Sequence, residues 1–194
     1  MMARLQRETE LYHGDADTSR LAMIEGPVDV DRYLDFLVRI YGFEAPVEAS
    51  LAMTRGLDEV LDLRARGQIK LLRSDLQALG VLDPAQLPRC RTSLFDDPAD
   101  ALGWAYVLER NALLHGVVER HLRQQMPDVL RSAGNYLAAQ ERSAGARWRE
   151  LGLAMDRIAT RTTIADRIGN AAKAAFRAQR TWYGVEVPPR LRVA

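Results

Sequence analysis

Three histidines, His13, His115 and His121, limit where imidazole-based metal or acid–base chemistry can occur in this chain. His13 is followed four residues later by Asp17, a spacing that puts both side chains on one face of a helix. A carboxylate at that position can accept one imidazole N–H and orient the other nitrogen towards a metal. The same spacing is also typical of a partly exposed helical histidine beside an acid, and spacing alone does not separate the two readings.

Two other candidate metal-binding patterns are weaker. His115 and His121 are six residues apart on a predicted helix, so they do not share a face and cannot form a standard two-histidine site. Asp96, Asp97 and Asp100 cluster at the start of that helix, where carboxylates complement the helix dipole. We therefore interpret the acidic cluster as a helix cap.

Motifs of the common enzyme classes are missing. The sequence has no G-x-S-x-G elbow, no phosphate-binding glycine loop, no dinucleotide fingerprint and no H-E-x-x-H pair. Its single cysteine, Cys90, excludes an internal disulfide and a cysteine-based zinc site, and it favours a reducing compartment. The cytoplasm is the predicted location.

Composition and charge describe the kind of domain that must position these residues. The chain has 194 residues, 47% of them hydrophobic and 27% charged, which suits one domain with a substantial core. A net charge of +1 gives no field that would attract nucleic acid or an anionic membrane. No apolar segment is long enough to span a bilayer. We therefore expect neither nucleic acid nor membrane as a partner.

Apolar residues recur at intervals of three and four, and valine and isoleucine are sparse, so the sequence predicts an all-α fold. We expect one domain over 1–184, with about six to seven helices, and an extended C-terminal tail over 185–194. Helix-capping and helix-breaking residues predict helices at about 3–25, 29–56, 68–79, 97–125, 128–157 with a break near Gly145, and 163–183. They also predict a connecting loop at about 81–95.

Four short motifs in a fixed order carry a family resemblance. They are LQRETELYHGDAD at 5–17, LVRIYGFEAPVEASL at 37–51, AGARWREL at 144–151 and AAKAAF at 171–176. Together they resemble the heme oxygenase family, and the match looks closest to its small bacterial, biliverdin-producing members. The resemblance extends over most of the chain.

The resemblance implies a helical bundle in which heme lies between a proximal helix, which carries the axial histidine, and a distal helix. His13 falls at the position of that iron ligand, and Asp17 falls where the family commonly has a glutamate that hydrogen-bonds the ligand's second nitrogen. Arg149 matches a basic position associated with the heme propionates, and Phe176 matches an aromatic position near the heme. Arg7 is a further candidate for heme contact.

The predicted distal helix departs from the family pattern. Relatives have a glycine-rich stretch there, whose glycines let the backbone approach heme and oxygen. In this chain Arg110 and Leu114 fall at two of the heme-facing glycine positions. Three outcomes follow: the helix stands farther off and still admits heme, His115 acts as a distal ligand and gives six-coordinate iron, or the pocket is closed.

The function implied by the resemblance is oxidative cleavage of heme to biliverdin, iron and carbon monoxide. Heme would serve as substrate and cofactor, with molecular oxygen and an external electron donor such as a ferredoxin or reductase as partners. The alternative is a non-catalytic or regulatory member of the fold, with its distal pocket filled by Arg110 and Leu114 and either a bis-histidine heme or none.

Overall fold

The computed structural model describes residues 1–184, and within these residues the chain is helical and has no strand. The predicted all-α fold is therefore confirmed. The α-helices are α1 (Met2–Leu21), α2 (Val30–Met53), α3 (Ile69–Ala78), α4 (Pro98–Gln125), α5 (Pro127–Ala133), α6 (Asn135–Ile158) and α7 (Thr162–Tyr183), with short 3-10 helices at Arg64–Arg66 and Pro84–Gln86. The predicted extended tail at 185–194 lies outside the described residues.

Side-chain caps fix where α2 and α4 begin. The Asp29 carboxylate accepts a hydrogen bond from the Arg32 N–H at the start of α2. At the start of α4, Asp97 accepts from two backbone N–H groups and Pro98 occupies the first turn. The acidic cluster at 96–100 thus includes a helix cap, and no metal-binding group of three or more side chains occurs in the described part of the chain.

The helix break in the C-terminal half of the chain lies at a different glycine from the one predicted. We expected it near Gly145, but α6 runs unbroken through that position and the chain bends at Gly134, between α5 and α6. A Cβ at Gly134 would lie 2.4 Å from the carbonyl oxygen of Leu130, whereas at Gly145 its nearest neighbour is 3.8 Å away. Only the first of these glycines is therefore required by crowding of the backbone.

The long helix α4 forms the centre of the bundle, packing against α6 and α7, while α1 packs against α7 and α4. A Cβ at Gly103 of α4 would lie only 2.5 Å from the Cβ of Ala171. The glycine therefore allows the backbones of α4 and α7 to approach each other closely at this point. One core cluster joins α1, α4, α6 and α7 to the C-terminal half of α2. A second cluster joins α2 and α3 to α5 and the ends of α4 and α6. Among the described helices, none has the length and apolar character needed to cross a membrane.

Candidate functional site

His13 lies in a cleft of about 340 Å³ between α1 and α4, closed at one end by α6. Most of the site residues predicted from the sequence are found in or beside this cleft. It is lined by Gln6, His13 and Asp17 from α1, by Tyr106, Arg110, Leu113 and Leu114 from α4, and by Trp148 from α6.

The His13 imidazole is oriented by the hydroxyl of Thr9, one helical turn earlier. Thr9 Oγ1 donates to the Leu5 carbonyl at 2.7 Å and lies 3.0 Å from His13 Nε2. Because the hydroxyl proton is used on Leu5, Thr9 accepts from Nε2–H, which leaves the lone pair for a metal on Nδ1. Burial lowers the pKa of His13, and the Arg110 guanidinium acts in the same direction. The ring is therefore neutral, as metal ligation requires.

Asp17 pairs with Arg110 of α4 and not with His13, the partner that the family resemblance implied. Its two carboxylate oxygens accept hydrogen bonds from the two terminal nitrogens of Arg110, at 2.6 and 2.8 Å. The expected contact to the His13 ring is thus replaced by a bidentate ion pair that joins α1 to α4 across the cleft. Both side chains are largely buried, at 19% and 16% exposed. We call this ion pair the Asp17–Arg110 clasp.

The distal wall of the cleft is filled by side chains. Arg110 and Leu114 lie one turn apart on α4, and both line the cleft. Leu113 lines the same wall and is 39% exposed. The space between α1 and α4 is therefore narrowed by Leu114 and bridged by the clasp.

The aromatic and basic candidates lie around His13 at different depths. Phe176 of α7 is buried, with its ring 5.7 Å from that of His13 and stacked on Tyr12. Arg7 is exposed and lines a shallower cleft on α1 that also includes His13. Arg149 is exposed and follows Trp148 on α6. Phe176 therefore backs the imidazole, and the two arginines lie at the surface.

Of the three outcomes considered for the distal helix, the one in which His115 acts as an iron ligand is not supported by the position of this residue. Its side chain is fully buried, and it does not line the His13 cleft. Its Nε2 accepts a hydrogen bond from Arg20 Nε at 3.1 Å, and its Nδ1 lies 3.4 Å from the Tyr136 hydroxyl. Because α4 turns this residue inwards, both ring nitrogens are used inside the bundle.

His115 belongs to a buried polar network that continues to Glu44. The Tyr136 hydroxyl donates to Glu44 Oε2 at 2.6 Å, and Arg20 also donates to the Ala16 carbonyl. Burial, with Arg20 and Arg147 nearby, lowers the pKa of His115 well below its ordinary value. Burial also raises the pKa of Glu44 to about 7, despite the Tyr136 hydrogen bond. Neutral His115 is therefore the form that this network holds.

The Glu44→Gln variant tests this network through the pH dependence of stability. A carboxyl whose pKa rises on folding contributes stability that is present below its unfolded value of 4.5 and is lost as pH rises through about 7. The free energy of unfolding of the wild type should therefore fall relative to that of Glu44→Gln between pH 5 and 8. We expect a relative change on the order of 3 kcal/mol, measured by urea unfolding. A difference between the two proteins that stays constant over this range contradicts the assignment.

A second buried charge cluster lies on another face of α4. Glu109 pairs with Arg66 Nε and Arg147 Nε, each at 2.9 Å, and all three side chains are no more than 6% exposed. Arg147 also donates to Gln140 and to Ser143. Arg147 is therefore part of the packed core of the bundle.

Sequence reasoning missed the roles of Thr9 and of the two buried networks. Thr9 precedes His13 by four residues, so its spacing was a usable signal for a helical hydrogen bond. Glu109, by contrast, is paired with residues 43 positions before it and 38 after it in the chain, and no local pattern marks such contacts. Only the packed bundle brings them together.

Fold and cleft define a class of protein: an all-α domain with one neutral imidazole in an aromatic-walled cleft between two long helices. The family model described as heme oxygenase matches residues 1–184, so the chain belongs to the heme oxygenase family. No curated protein and no solved structure gives a significant match to the chain.

Proposed function

We propose that the protein binds heme in the cleft between α1 and α4, with His13 as the axial ligand of the iron. The observation that carries this proposal is the neutral His13 imidazole, which is held by Thr9, backed by Phe176 and part of the lining of the cleft between α1 and α4. The family resemblance implies a heme between these two helices. Family membership supports the choice of heme over another flat ligand.

The residues of the cleft fit heme on the proximal side. His13, backed by Phe176, would supply the ligand, and Tyr106 and Trp148 would supply aromatic walls. The exposed guanidinium groups of Arg7 and Arg149 are suited to bind the propionates. The cleft as a whole has a volume of only about 340 Å³, at the lower end of the range of small-molecule sites, so it does not hold a large ligand such as a porphyrin without opening. Entry therefore requires the Asp17–Arg110 clasp to open and α4 to move away from α1.

The proposed activity is oxidative opening of heme to biliverdin, with release of iron and carbon monoxide. Bound heme supplies the redox chemistry, and electrons come from an external donor such as a ferredoxin or reductase. The chain's own residues bind and orient: His13 donates its lone pair, Thr9 fixes the imidazole, and Leu114 excludes water from the distal side. Once released from Asp17, Arg110 places a cation on that side of the cleft.

Turnover tests this activity directly. The purified complex with hemin is given a chemical reductant or a ferredoxin system in air, while the Soret band and the biliverdin absorption are recorded. We expect the Soret band to decay as biliverdin and carbon monoxide form, and to persist when oxygen is removed. A complex that stays intact in air through many equivalents of reductant contradicts the proposed activity and leaves heme binding in place.

The Asp17–Arg110 clasp favours one alternative, a heme-binding member of the family without turnover. Arg110 and Leu114 fill the face on which oxygen would have to bind, so a cleft that opens only enough to admit heme would exclude oxygen. The bis-histidine form of this alternative has no support, since both nitrogens of His115 are engaged with Arg20 and Tyr136.

A further inference from the structure

A second cavity lies behind α4, on a different face from the His13 cleft. It has a volume of about 160 Å³ and is enclosed by α2, the segment around the first 3-10 helix, α4 and α6. By size it has room for a molecule of about six to eight non-hydrogen atoms. Its apolar wall consists of Leu51, Ala52, Leu63, Ala105, Leu108 and Ala112.

The α2 side of this cavity carries two glutamates one helical turn apart, Glu44 and Glu48. Glu44 is only 6% exposed, and its known partner, the Tyr136 hydroxyl, occupies Oε2 alone. Among the described residues no hydrogen bond is made to Oε1 of this carboxylate, and the residue lines the cavity. Glu48 Oε2 accepts from the backbone N–H groups of Gln68 and Ile69. Within residues 1–184, neither glutamate forms an ion pair with a cation at 4 Å or less.

The cations that line the cavity are committed elsewhere. Arg147 donates to Glu109, Gln140 and Ser143, while Arg66 pairs with Glu109 and Glu150. Both guanidinium groups are therefore ion-paired with Glu109 of α4, while Arg147 also lowers the pKa of Glu44 and Glu48 through space. Burial raises the pKa of both Glu44 and Glu48, and it outweighs the opposite effect of the nearby cations, Arg20 and Arg147 for Glu44 and Arg147 and Lys70 for Glu48.

We propose that this cavity is a binding site for a small organic ammonium ion with a compact apolar body. The ammonium group would donate to Glu44 and Glu48, and the apolar body would lie against the leucines and alanines on the other walls. This proposal is independent of heme, because its residues lie on α2, α4 and α6 outside the His13 cleft.

Three probes of matched shape test the site: benzylammonium, benzyl alcohol and benzoate. Each is titrated into the full chain at neutral pH by isothermal calorimetry. We expect benzylammonium to bind at least about tenfold more tightly than benzyl alcohol, and benzoate to show no binding. Equal binding of all three compounds, or binding of none, overturns the proposal.

Variants locate the binding. Ala112→Leu fills the cavity without touching a carboxylate and should abolish binding of benzylammonium, while Glu44→Gln should weaken it at least about tenfold. Glu48→Gln gives the same test at a less buried position in case Glu44→Gln does not fold. Glu25→Gln, an exposed change of equal charge, is the control. An equal loss of affinity in Glu25→Gln, or full affinity in Ala112→Leu, contradicts the site.

Discussion

Arg110→Gly/Leu114→Gly is expected to bind hemin about thirtyfold more tightly than the wild type and to form biliverdin faster. The double variant removes the guanidinium that pairs with Asp17 and the side chain that narrows the cleft. A bidentate, largely buried ion pair of this kind is worth about 2 kcal/mol. If the closed cleft is favoured by that amount, only a few per cent of the wild-type molecules have an open cleft. The apparent affinity of the wild type for hemin is then about thirtyfold lower than that of a cleft that is always open.

The two glycines also carry a cost that must be separated from opening of the cleft. Each glycine inside a helix lowers stability by about 1 kcal/mol relative to alanine. Val117→Gly/Arg120→Gly is the matched control, because it places two glycines at exposed positions of α4 and also breaks an ion pair, that of Arg120 with Glu141. The control should lose similar stability without gaining affinity for hemin. Equal gains in both double variants would falsify the role of the clasp.

Glu109→Ala is expected to cause the largest loss of stability among single changes outside the cleft. It leaves the guanidinium groups of Arg66 and Arg147 buried at 6% exposure without their shared carboxylate. Breaking a buried ion pair by removing one partner typically costs about 3–5 kcal/mol, because an uncompensated charge remains in the interior. Urea unfolding should show this decrease in the free energy of unfolding.

Glu119→Ala is the control for that measurement. Glu119 lies on the same helix and is buried to the same degree, but its partner Arg123 is 54% exposed. After the change Arg123 remains solvated, so the expected cost is only about 1 kcal/mol. If the two variants lose the same stability, the difference in partner burial has no energetic effect and our description of the Glu109 cluster is wrong.

The sequence predicted those parts of the fold that depend on neighbouring residues. Asp97 followed by Pro98 marked the start of α4, and apolar spacing marked the faces of the helices. The predicted break at Gly145 was wrong because a glycine alone does not end a helix, whereas Gly134 lies against the Leu130 carbonyl. Such crowding is a property of the packed chain and is not visible in composition.

For the site, the sequence identified residues but not their pairing. The candidate residues His13, Arg110 and Leu114 line one cleft. Asp17, however, pairs with a residue 93 positions away and not with the histidine four positions away. An ion pair between two helices depends on how they dock, and local spacing gives no information on docking. The inward position of His115 has the same origin.

Titration of the purified protein with hemin, for wild type, His13→Ala and His121→Ala, tests the central claim most directly. The Soret band reports binding, and His121→Ala controls for loss of a histidine on α4 away from the cleft. We predict one-to-one binding by the wild type and His121→Ala, with affinity at least about a hundredfold lower in His13→Ala. Equal affinity in all three proteins, or no saturable binding by the wild type, would contradict heme ligation by His13.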